Sequence, residues 1–202
     1  MGADSVHVQA QYMGEDRRSG HDPAVSKRFT TTDIIVISMF GALGIMVGML
    51  GNILHGASMI VPFFGPFILH TLLPGIVLFA CIATVRKVGT ATLLCLITAL
   101  VAMPLAGAPL FILSYIAYGL VLDGATLVLG RRIWTRPGMV FAAVLWGAVG
   151  LYMLYYVVMR LQGIEFPVWV FLASLPVNIA FAVPAALYGL TLGNRAQAAL
   201  VG

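Results

Sequence analysis

Six stretches of about 20 mostly apolar residues, separated by short clusters of Arg and Lys, constrain this chain more than any other feature. A helix in a soluble protein needs a charged outer face, and these stretches have none, so lipid is the environment that can cover them. They run from Asp33 to Leu54, Val61 to Val85, Val88 to Pro104, Ala108 to Gly130, Gly138 to Met159 and Pro167 to Leu192. Thr31, Thr32 and Asp33 provide capping groups for the first. Only 9% of the residues are charged, against about 25% in a soluble domain. The fold class predicted is an all-α integral membrane protein with six transmembrane helices.

The basic residues set its orientation. With six spans, both termini and the loops after helices two and four share one side. That side holds Arg17, Arg18, Lys27, Arg28, Arg86, Lys87, Arg131, Arg132, Arg136 and Arg195, and the other holds Arg160. Ten against one is a strong positive-inside bias, so both termini are expected in the cytoplasm and the protein in the cell membrane. The same clustering between apolar runs removes nucleic acid as the reason for a pI near 9.3. Residues 1–28 read as a disordered cytoplasmic tail, 29–195 as the transmembrane domain and 196–202 as a short C-terminal tail. Met1 to Lys27 has no apolar core from which to make a signal peptide. Cys81 and Cys95 both fall within apolar runs, which favours a reduced pair over a disulfide.

Helix one carries Gly41, Gly44, Gly48 and Gly51 within an arc of roughly 80°. Helix three repeats the device with Ala91, Cys95, Thr98 and Ala102. Small residues on one face let helix backbones approach in lipid, either within the protein or against another membrane subunit. Polar and aromatic groups gather toward the outer half: Asn52, His55, His70, Ser114, Tyr115, Tyr118, Tyr152, Tyr156, Arg160, Trp169, Ser174 and Asn178. Such groups are costly at lipid depth and usually face a cavity or a neighbouring helix, so a small-molecule pocket opening outward is the functional expectation. The alternatives are an interfacial aromatic belt for Tyr152, Tyr155, Tyr156 and Trp169, and helix–helix hydrogen bonds for His70 and Asn178. Asp123, in the inner half of helix four, fits a structural or partner-contacting role better than proton relay.

The sequence has no nucleotide-binding G-x-x-x-x-G-K-[ST] loop, no H-E-x-x-H zinc motif and no G-x-S-x-G elbow. No cofactor or metal is indicated, and no enzymatic activity is expected. Nor do two similar halves with broken helices stand out, as a self-contained alternating-access carrier would show.

These features resemble the substrate-binding S component of energy-coupling factor (ECF) transporters, over about Arg28 to Leu192. The local similarities are Gly51-Asn52-Ile53-Leu54-His55-Gly56, Phe64-Gly65-Pro66, Arg86-Lys87-Val88-Gly89-Thr90-Ala91 and Tyr118-Gly119-Leu120-Val121-Leu122-Asp123. They look most like the YkoE type, associated with thiamine or hydroxymethylpyrimidine, and next most like the MptS type. His70 stands where the YkoE type tends to have a carboxylate, and Tyr118 where an amide is common.

The resemblance implies a high-affinity substrate-capture subunit for a vitamin-like small molecule. It would dock through Gly41, Gly44, Gly48, Gly51, Ala91, Thr98 and Ala102 on a membrane T component driven by two cytoplasmic ATPases. The loop from His55 to Pro62 would gate the pocket. The substrate would meet Asn52, His55, His70, Tyr118, Tyr152, Tyr156, Arg160 and Asn178, with aromatic rings stacking on a flat heterocycle. The rival readings are a proton-coupled secondary transporter using Asp123 and His70, a membrane enzyme acting on a lipid, and a structural subunit of a larger complex.

Overall fold

A computed structural model describes residues 28–58, 71–106, 111–153, 163 and 168–201. Six α-helices are described: α1 Thr31–Ser58, α2 Leu73–Val85, α3 Thr90–Ala106, α4 Phe111–Leu129, α5 Arg136–Tyr152 and α6 Val168–Val201. A 3-10 turn, Gly130–Trp134, joins α4 to α5. Parts of α1, α4 and α6 are long and apolar enough to cross a membrane, namely Thr31–Leu50, Ile112–Trp134 and Phe171–Leu200. The other three are shorter apolar helices over their described lengths. Large apolar side chains are exposed along the outer faces, as lipid contact requires, among them Met39, Met46, Leu120, Val128 and Leu172.

The shortest described helix is the hub. Nine of the 13 residues of α2 are buried, from Gly75 to Thr84. It packs most extensively on α6 and also touches α1 and α3, while α3 pairs with α4 and α5 with α6. The close fit of α2 to α6 comes from small residues on α6. Ala182, Ala185 and Ala186 are fully buried. A Cβ at Gly189 would lie 2.8 Å from Phe79 Cβ and 2.9 Å from Ala80 N, and one at Gly193 would lie 2.5 Å from Ala83 Cβ. Without a hydrophobic drive between helices in lipid, this backbone proximity supplies dispersion contacts that larger residues would prevent.

Helix ends follow local chemistry. Thr30 and Asp33 form a capping box at the start of α1: Thr30 N donates to Asp33 Oδ2 at 2.6 Å, and Asp33 N donates to Thr30 Oγ1 at 3.2 Å. The cap is thus one residue earlier than the expected Thr31. Helix α2 ends at Val85, as the Arg86-Lys87 pair predicts. Arg86 takes the left-handed conformation, with φ 51°, which is costly for a residue with a Cβ. Its own side chain compensates, donating Nε–H to Ala83 O at 3.1 Å and Nη2–H to Asn194 Oδ1 at 2.6 Å.

The expected ends of two other helices move outward. Pro104 lies inside α3. Helix α6 passes the expected end at Leu192 and continues to Val201, because Asn194 is held by Arg86 and the residues beyond are rich in helix-favouring Ala, Gln and Leu.

Cross-contacts show that successive helices alternate in direction. Lys87, after α2, donates Nζ–H to Asp33 Oδ2 at the start of α1 at 2.6 Å. Arg86 meets Asn194 near the end of α6, and the start of α3 meets Asp123 in the second half of α4. One end of the bundle therefore gathers the start of α1, the α2–α3 connection, the 3-10 turn and the last turns of α6. We call it the basic end.

Candidate functional site

Toward the opposite end, α2, α4, α5 and α6 enclose a cluster of polar and aromatic groups. Asn178 on α6 is its cross-brace: Oδ1 accepts from Thr71 Oγ1 at 2.6 Å, and Nδ2 donates to Gly147 O on α5 at 2.9 Å. A Cβ at Gly147 would sit 3.5 Å from Asn178 Nδ2, in ordinary contact, so α5 passes close to the amide here. One turn along α5, Gly150 O accepts a hydrogen bond from Tyr118 Oη on α4 at 3.2 Å. Aromatic rings continue from there. Tyr118 lies 6.1 Å from Tyr115 and 6.4 Å from Trp146 between centroids, and Trp146 meets Phe79 edge-on at 5.7 Å. These are favourable tilted or T-shaped arrangements.

Two buried polar atoms beside these rings have no hydrogen-bond partner among the described residues: Trp146 Nε1 and Ser114 Oγ. Ser114 is 2% exposed and lies one helical turn before Tyr118. A buried donor without a partner costs about 1–3 kcal/mol. An indole N–H and a hydroxyl beside a row of rings are complementary to a flat molecule with acceptor atoms on its edge. Among the described residues no group of His, Cys, Asp or Glu is placed to hold a metal ion.

The residues expected at the pocket separate. Tyr118 belongs to the cluster. Asn178 does too, with one bond through its Oδ1 and one through Nδ2 both given to neighbouring helices, so it joins helices here. Tyr152 is 51% exposed and Trp169 67% exposed, which fits an interfacial belt. Asn52 and His55 fall on the last turns of α1, with side chains outside the described residues, and His70, Tyr156 and Arg160 lie outside them altogether. Trp146, Thr71, Gly147 and Gly150 were not singled out from the sequence. The signal for the last two is the Gly-x-x-Gly spacing on α5; nothing in sequence marks an indole that will lack a partner.

The small-residue stripes also divide. Gly41 faces Ile97 on α3, where a Cβ would lie 3.1 Å from Cγ2, and Gly44 faces Val77 and Thr98. Among the described residues Gly48 has no such neighbour within 4 Å. Ala91 is buried at 1% exposure and cannot present a surface, because α4 lies over it: a Cβ at Gly119 would come 2.5 Å from Thr92 Cα and 3.1 Å from Ala91 O. Thr98 Oγ1 donates to its own helix at Leu94 O. Gly51 and Ala102 lie in α1 and α3, and their surroundings are outside the described set.

Asp123 has a structural task. Its Oδ2 accepts from Thr92 N at 2.8 Å and its Oδ1 from Ala91 N at 3.3 Å. The carboxylate thus caps α3 from the neighbouring helix, where free amides and the positive end of the helix dipole favour an anion.

No protein-family model and no curated protein matches the sequence. Among solved structures, the fold is similar to that of a crystal structure of an S-component of an ECF transporter, with a TM-score of 0.61 and 21% sequence identity over 86% of each chain. The architecture is therefore the S-component fold, a class of membrane-embedded helical bundle.

Proposed function

We propose that this chain is the substrate-capture subunit of an ATP-driven ECF-type importer, with a small flat heterocycle as its ligand. The observation that carries this reading is two unpartnered buried groups, Trp146 Nε1, whose indole meets the Tyr118 ring, and Ser114 Oγ, one helical turn before Tyr118 on α4. The similarity of fold supports the same class. In this proposal six helices span the cell membrane, both termini are cytoplasmic, and the chamber opens to the outside. The ten-to-one distribution of cations supports that orientation. Asn52, His55, His70, Tyr156 and Arg160 are proposed to complete the ligand's surroundings, with Asn178 holding the chamber walls together and Tyr152 left to the interfacial belt.

Partners in the proposal are a membrane T component and two cytoplasmic ATPases. The outer face of α1 is proposed as the docking surface, with Met39, Leu43 and Met46 exposed on it. The capping role of Asp123 supports a structural task for this carboxylate over a part in a proton-coupled carrier.

The test is direct binding to the purified chain. Mass spectrometry of co-purified small molecules, followed by thermal-shift titration with a vitamin panel that includes thiamine and hydroxymethylpyrimidine, should give one ligand that stabilises the protein. In liposomes the chain alone should bind that ligand without accumulating it. Accumulation driven by a pH gradient would overturn the proposal, as would a full panel without any thermal shift.

A further inference from the structure

A concave site lies at the basic end, remote from the aromatic cluster. It is a groove of about 560 Å³ between the 3-10 turn, the start of α5 and the last third of α6. Its lining is Trp134, Arg136, Leu187, Leu190, Thr191, Asn194 and Arg195. We propose that it holds the phosphate of an anionic phospholipid, with the first part of the acyl chain against the leucines.

Charge gives the first argument. Two guanidinium groups share one groove, and no carboxylate lines it. The two acids among the described residues are engaged elsewhere, Asp33 with Lys87 and Asp123 with the start of α3. Like charges brought together repel unless an anion lies between them, and the planar fork of Arg suits phosphate oxygens. Asn194 adds a donor: its Oδ1 is occupied by Arg86, which leaves the Nδ2 hydrogens for the groove.

The layout separates a lipid from a free phosphate. Along α6 the lining passes from Leu187 and Leu190 to Asn194 and Arg195, a change from apolar to cationic over about 12 Å of helix. That is the sequence of chemistry from acyl chain to headgroup. Trp134 on the opposite wall is the residue type found at that depth, apolar in body with one polar N–H. The inference requires a membrane protein but does not depend on what the aromatic cluster binds.

Native mass spectrometry of the full chain, delipidated in neutral detergent and titrated with phosphatidylglycerol or phosphatidylcholine, tests it. Phosphatidylglycerol should be retained preferentially. Arg136→Gln/Arg195→Gln should lose that preference by about fivefold per guanidinium removed, with an unchanged melting temperature. Arg136→Lys/Arg195→Lys should lose less, since charge remains without the fork. Arg131→Gln/Arg132→Gln, which removes the same charge from the adjacent exposed turn, should keep the preference. Equal loss in the two Gln pairs would overturn the site in favour of diffuse charge attraction. Absence of any preference in the native chain would overturn it outright. Displacement by equimolar glycerol 3-phosphate would reassign the groove to a soluble phosphate.

Discussion

The two ends of the bundle use polar groups in opposite ways. At the basic end, Lys87 joins Asp33, Arg86 joins Ala83 and Asn194, and Asp123 joins the amides of Ala91 and Thr92. Among the described residues, only the Thr90 hydroxyl is buried there without a partner. Around Tyr118, an indole N–H and a hydroxyl are buried with their bonding capacity unused. Satisfied polar groups hold helices in register, whereas unsatisfied ones are a cost that a ligand can relieve. The contrast separates a scaffold from the candidate site within one small protein.

Substitutions should follow that division, and the largest effect should come at the scaffold. Gly193→Leu would force α6 away from α2 and should cost about 3 kcal/mol, seen as loss of a monodisperse species in detergent. Gly48→Ala, with open space around it, should stay within about 0.5 kcal/mol by thermal unfolding. Next, Asp123→Ala leaves the buried start of α3 uncapped and should cost about 2–3 kcal/mol of stability with ligand affinity unchanged. Asp123→Asn, which keeps an acceptor, should cost less. Trp146→Phe tests the chamber: the melting temperature should hold or rise as an unpartnered donor is removed, while ligand affinity falls about tenfold, or roughly 1.4 kcal/mol. If that variant melts lower and binds as before, the distinction between the two ends fails. Lys87→Met, which breaks a partly buried ion pair, should cost about 1 kcal/mol or less, diminishing in salt.

Much of the scaffold was legible in the chain. Arg86-Lys87 marks the end of α2, and long apolar runs mark the helices, since hydropathy and charge are properties of residues taken a few at a time. The partner of a small-residue stripe is not such a property. Gly41 and Gly44 on α1 drew attention, yet a tighter seam is made by Gly189 and Gly193 on α6. Which stripe meets a backbone depends on how six helices are arranged.

Asn178 and Asp123 show the same limit. Each was recognisable as a polar residue at apolar depth, but the groups that satisfy them come from Thr71 and Gly147, and from Ala91 and Thr92, 31 to 107 positions away. Trp146 was missed because hydropathy counts an indole as apolar and does not register its N–H.

The left-handed turn at Arg86 has a mechanical consequence. Its guanidinium ties α2 to α6, and the next residue, Lys87, ties α2 to α1. A torque applied to any of these three helices at this end is shared by the others. The basic end is therefore a joint of three helices, and a displacement of α1 there is carried to the central helix and to α6.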